Sequence, residues 1–137
     1  MMKVFIACSK HFYSEIKRVA GILEEMGHEV SYPNSYNDPF AEERFRKMSI
    51  KDHVNFKSSM MRRDKQNLEP QDAILVLNFE KKGIPNYIGG ATFLEVYMAW
   101  ELRKKIFFYN QLPKCSFTDE LIGIDPIIIN GDLGLIK

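Results

Sequence analysis

Short apolar runs alternate along this chain with segments whose apolar residues return every three or four positions. Lys3-Val4-Phe5-Ile6-Ala7-Cys8 is the first run, and the polar break Ser9-Lys10-His11 bounds it as a buried strand. From Ser14 the positions Ile16, Val19, Ala20 and Leu23 keep helical spacing until Gly27 supplies a stop. Glu29-Val30-Ser31-Tyr32 returns to strand formers and opens into a turn-rich loop from Pro33 to Pro39. A long polar stretch from about Glu42 to Leu68 carries Phe45, Met48, His53, Phe56, Met60 and Met61 on an apolar side, as one helix or two. Asp72 to Asn78 predicts a central strand, Thr92 to Lys104 a helix, Lys105 to Asn110 the next strand and Ile127-Ile128-Ile129 the last.

Five strands alternating with helices imply one three-layer α/β domain over residues 1–137. Its sheet is expected to be parallel, flavodoxin-like or Rossmann-like, in the order 2-1-3-4-5. Such sheets bind ligands outside the carboxyl ends of their strands. That rule gathers Ser9 to Tyr13, Pro33 to Pro39, Asn78 to Gly90 and Asn110 to Pro113 around one crevice.

Composition narrows the ligand. A formal net charge of +1 in 137 residues gives no general attraction to polymeric nucleic acid or to a membrane, and leaves small anionic ligands open. Cys8 and Cys115 lack C-x-x-C spacing and read as reduced thiols of a cytoplasmic protein; no apolar run has the length of a membrane span, and no signal peptide is evident. No His, Cys, Asp and Glu spacing suits a metal, so neither metal nor cofactor is expected. Lys57, Arg62, Arg63 and Lys65, interrupted by Asp64 and Glu69, read as a solvated helix face, and His28 as a surface residue of a turn. The surplus of apolar positions between Glu42 and Leu68 suits a homodimer or higher homo-oligomer.

Candidate chemistry concentrates in Gly89-Gly90-Ala91-Thr92-Phe93-Leu94-Glu95. Two glycines let backbone approach a ligand, and the positive end of the following helix favours an anion. Glu95 has two readings here: a carboxylate facing a sugar, or the last member of a T-x-x-E capping box begun by Thr92. Ser9, Lys10, His11 and Tyr13 offer hydroxyls and positive charge to a phosphate, and Asn78 and Asn110 close the next two strands beside them.

The first strand with its polar loop, Val4-Phe5-Ile6-Ala7-Cys8-Ser9, the pair Asp64 and Asp72 framing the third strand, and the glycine loop leading to Glu95 resemble the nucleoside 2-deoxyribosyltransferase-like superfamily. Its deoxynucleoside 5′-monophosphate N-glycosidase branch is included in the resemblance. The resemblance implies that Glu95 attacks the anomeric carbon of a nucleoside or nucleotide, and that water or another base then releases the sugar. It implies Asp72 as the acid that protonates the leaving base, with Asp64, Asp38 and Glu101 as other choices, and Tyr13 as a group that positions sugar or nucleophile. Hydrolysis of a 5′-monophosphate is the favoured form. A non-catalytic nucleotide-binding or sensor domain of the same fold is the alternative, with Glu95 reduced to a cap.

Overall fold

The computed structural model describes residues 1–137. Five parallel strands, β1 (Lys3–Ala7), β2 (Glu29–Ser31), β3 (Ala73–Val76), β4 (Lys105–Phe108) and β5 (Ile127–Ile128), pair in the order β2-β1-β3-β4-β5. This is the expected topology.

The alternation along each strand explains why both faces of the sheet are covered. Val4, Ile6, Ala73, Leu75 and Phe107 point to one face, where helix α1 (Tyr13–Glu25) buries Ile16, Val19, Ala20 and Leu23. Phe5, Ala7, Ile74, Val76, Ile106 and Phe108 point to the other. There they meet Leu68 of α3 (Ile50–Leu68), Val96 and Ala99 of α4 (Gly90–Glu101) and Leu121 of α5 (Thr118–Ile124).

The long polar stretch divides into α2 (Ala41–Met48) and α3, because Ser49 leaves helical geometry and caps α3. Its hydroxyl accepts from the Asp52 N–H at 3.0 Å and donates to the Asp52 carboxylate at 2.8 Å, satisfying a helix-start donor that would otherwise be unpaired.

Chain ends meet at His28, which is buried, contrary to the surface position expected from its turn. Its Nδ1 accepts from the Met2 N–H at 3.0 Å while Nε2 donates to the Ile136 carbonyl at 3.1 Å. No helix is long and apolar enough to cross a membrane.

Asn78 and Asn110 also have a structural task. The fully buried Asn78 amide donates to the carbonyls of Asn110 and Gln111 and accepts from the Asn110 N–H, and the Asn110 side chain donates back to the Asn78 carbonyl. This clamp joins the carboxyl ends of β3 and β4 and leaves Asn78 without spare polar atoms for a ligand. Asn78→Ala should therefore cost about 1–3 kcal/mol in urea denaturation, because it removes three hydrogen bonds to part-buried backbone groups and empties a fully buried site.

Candidate active site

The connection after β1 enters α1 on one face of the sheet, whereas the connection after β3 enters α4 on the other. The gap between these diverging chains is where a crevice must open. A cavity of about 730 Å³ lies there, lined by Cys8 to His11 and Tyr13 after β1, by Pro33 to Ser35 after β2, and by Gly89 to Glu95 at the start of α4. Helices α2 and α3 wall the far side with Glu42, Glu43, Phe56, Lys57, Met60, Met61 and Asp64. Of the residues expected to bind substrate, Ser9, Lys10, His11, Tyr13, Gly89 and Gly90 converge on this cavity; Asn78 and Asn110 do not line it.

Helix α4 starts at Gly90 with Gly89 as its N-cap, and the first helical bond runs from the Phe93 N–H to the Gly89 carbonyl at 3.0 Å. Thr92 is thus the third helical residue and not the cap, and the capping-box reading of Glu95 fails on register. A Cβ built on Gly90 would meet nothing within 4 Å. The free N–H groups of the first turn and this open space together form a cradle for an anion.

Glu95 lies one turn deeper. It is 6% exposed and no hydrogen bond engages its carboxylate. Burial drives its pKa well above the usual carboxylate range, the neighbouring Asp64 charge pushes it the same way, and Lys57 opposes both. Asp64 is raised to about 6, again by burial first, against the pull of Lys57, an Asn34 hydrogen bond and Arg63. Two carboxyl groups whose charges interact in a half-dry cavity titrate as a pair and hold one proton over a range of pH.

Lys57 is held by Glu42 across the α2–α3 junction, Nζ to Oε2 at 2.5 Å, and Phe45 stacks on Phe56 beside it at 4.8 Å between ring centres. The basic stretch is therefore only partly a solvated face. Lys57, Met60, Met61 and Asp64 follow i, i+3, i+4, i+7 spacing, and this one stripe of α3 looks into the cavity.

Cations collect at the cavity mouth. Lys10 pairs with Glu43 of α2, and Lys81 lies over the Tyr87 ring at 4.4 Å. Desolvation and the charges of Lys81, Lys82 and Lys10 lower the pKa of His11. Within the cavity, burial followed by the Cys8, Glu95 and Asp64 charges raises the pKa of the Tyr13 hydroxyl, and burial pushes the Cys8 thiol up to about 12.

Asp72, the expected acid, does not line this cavity. It precedes β3, at the amino edge of the sheet, where its carboxylate accepts from the Lys3 N–H at 2.7 Å and its neighbours are Arg103, Lys105 and Lys137. A four-residue strand, about 13 Å long, separates that edge from the cavity. Asp38 is bound to Arg44, and Glu101 ends α4 in a hydrogen bond with the exposed Tyr97, so neither reaches the cavity. Asp64 alone of the four acids considered lines it beside Glu95.

No family model matches the sequence, and no curated protein matches it. Solved structures do. A 2-deoxyribosyltransferase from the psychrotolerant bacterium Bacillus psychrosaccharolyticus aligns over 78% of this chain and 71% of its own, with a TM-score of 0.54 at 15% identity. The Clostridium botulinum CMP N-glycosidase BcmB aligns over 93% of this chain and 89% of its own, with a TM-score of 0.51 at 16% identity. This chain shares the α/β fold of those two proteins, with its five parallel strands in the order β2-β1-β3-β4-β5.

Proposed function

We propose that this chain is an enzyme that breaks the N-glycosidic bond of a nucleoside or nucleoside 5′-monophosphate, with Glu95 as nucleophile and Asp64 as the acid for the departing base. The observation that carries this reading is a buried glutamate with no hydrogen-bond partner, set beside a second raised carboxyl on a cavity at a helix N-terminus. The Glu95 oxygens are not sealed away from solvent and the residue lines the cavity, so the carboxylate is open to a ligand there. The names of the two structural neighbours point to the same bond.

The reaction follows from the pair's single proton. In the reactive state the proton sits on Asp64 and Glu95 is ionised; positive charge growing on the sugar beside Glu95 favours that placement. Glu95 attacks the anomeric carbon as the carbon–nitrogen bond breaks, its electron pair leaves with the base, and Asp64 supplies the proton. Asp64, now a carboxylate, takes a proton from water, which opens the glycosyl ester and frees Glu95. A second base in place of water would give transfer; hydrolysis is favoured. Ser9, His11, Lys81 and the first turn of α4 suit a 5′-phosphate, whose charge would compete with Glu43 for Lys10.

The test is chromatography of ribo- and deoxyribonucleosides and their 5′-monophosphates after incubation with the protein, with a free acceptor base present and Glu95→Ala as control. Release of base by the wild type alone supports hydrolysis, and an exchanged base supports transfer. Binding without any turnover would return the cavity to a sensor role.

A single proton shared by two carboxyls also fixes the pH response. Turnover should fall at low pH, where both are protonated, and at high pH, where both are ionised. Lys57 lowers the pKa of each. Lys57→Met should thus shift both limbs of the kcat/KM profile to higher pH, whereas losing a general base would abolish the low-pH limb.

A further inference from the structure

Asp64 does not hang freely in the cavity. The Asn34 side chain, in the loop after β2, donates from Nδ2 to Oδ1 of Asp64 and, at 3.4 Å, to the Met60 carbonyl. Behind it, Asn67 donates from its own Nδ2 to Oδ1 of Asn34 at 2.5 Å. Met60, Asp64 and Asn67 share one stripe of α3, so a single helix presents all three to the loop.

The orientation of the Asn34 amide follows from its partners. A main-chain carbonyl can only accept, so the Met60 oxygen requires the NH2 end of Asn34 on its side, and the Asn34 oxygen must then face Asn67. An NH2 group can pair only with a carboxyl oxygen that lacks a proton. Asp64 Oδ1 is therefore committed as an acceptor.

We propose that Asn34, locked by Asn67, is a positioning residue that reserves Oδ2 of Asp64 for the proton given to the leaving base. The proposal rests on the function assigned above for the identity of the proton's destination, while the placement of the proton is readable without turnover. The other groups that set the charge of Asp64 are Glu95 on α4, Lys57 and Arg63 on α3, and Tyr13 at the start of α1. None of them touches the Asn34–Asn67 contact, so the two asparagines can be varied while those charges stay in place.

The experiment is a carbon-13 titration of the Asp64 carboxyl in wild type, Asn34→Ala and Asn67→Ala, with kcat/KM measured on two kinds of substrate. Losing the Asn34 donor removes a bond to the ionised form, so the Asp64 midpoint should rise by about half a unit or more. Asn67→Ala, which removes no atom in contact with Asp64, should move it in the same direction. In rates, Asn67→Ala should cost roughly tenfold or more on nucleosides whose base leaves only when protonated, and little on N7-methylated purine nucleosides, whose base leaves already charged. An unmoved midpoint in Asn67→Ala, or equal losses on both substrates, would overturn the proposal.

Should either variant fail to fold, the wild type decides. The Asn34 NH2 resonances should titrate with the midpoint of Asp64, and their indifference to pH would sink the idea. If the wild type cleaves no substrate, the functional assignment fails, and the titration still determines whether the proton is placed as described.

Discussion

Glu95→Gln should lower kcat/KM at least about a thousandfold and at the same time raise the melting temperature. The two effects have one source. Burial raises the pKa of Glu95 in the folded chain, so the folded state prefers the protonated carboxyl. Stability from that preference is fully present below the unfolded value, near ~4.3, and is lost as pH rises through the folded value. Glutamine keeps the shape and carries no such loss. Thermal melts of the two proteins should coincide in acid and separate with rising pH, by several degrees in favour of Glu95→Gln. A variant equally stable across this range would mean that Glu95 is solvated or paired in solution, and the assignment of a buried, unpaired nucleophile would go with it. Stability lost to a reactive group is a common trade at catalytic sites.

The second large effect separates two aspartates. Asp64→Asn should reduce turnover about 10²–10⁴-fold on nucleosides whose base needs a proton, and should remove the high-pH limb of the profile. Nucleosides with an N7-methylated purine should lose much less, since their base departs without an acid. Asp72→Asn should leave kcat/KM within about twofold, because its carboxylate serves the Lys3 N–H at the other edge of the sheet. Parallel assays of both variants on the same two substrates make the contrast direct. A loss confined to Asp72→Asn would reverse the assignment.

Asp72 was the expected acid by resemblance, from its place at the start of the third strand. Adjacency to a strand is visible in a sequence, but in a parallel sheet the residue before a strand and the residue after it lie at opposite edges. Asp72 stands before β3 and is carried away from the ligand side, whereas Cys8 and Ser9 stand after β1 and are carried to it. The inner strands were legible as continuous apolar runs and the helix before Gly27 by its 3.6 period, because both patterns report burial directly, and the strand order followed from the alternation of strands with helices.

Two features were harder to read. Lys57 and Asp64 sit in a run dense with charges, where composition suggests solvent; their i, i+7 spacing with Met60 and Met61 between them was the available signal. The clamp of Asn78 and Asn110 joins residues 32 positions apart, and no local pattern reports such a pairing. Glu95 itself was legible as a helical carboxylate near a glycine turn. Its lack of a partner belongs to tertiary structure alone.

The two thiols give this molecule an internal gauge. Cys115 is exposed, while Cys8 is buried on the cavity wall with its thiol pushed up to about 12, so at neutral pH almost no thiolate forms there. Alkylating reagents react with thiolates, and should therefore tag Cys115 promptly and Cys8 slowly, through the cavity. A nucleotide seated in the cavity should slow the second labelling and leave the first unchanged, so the ratio of the two rates reads occupancy.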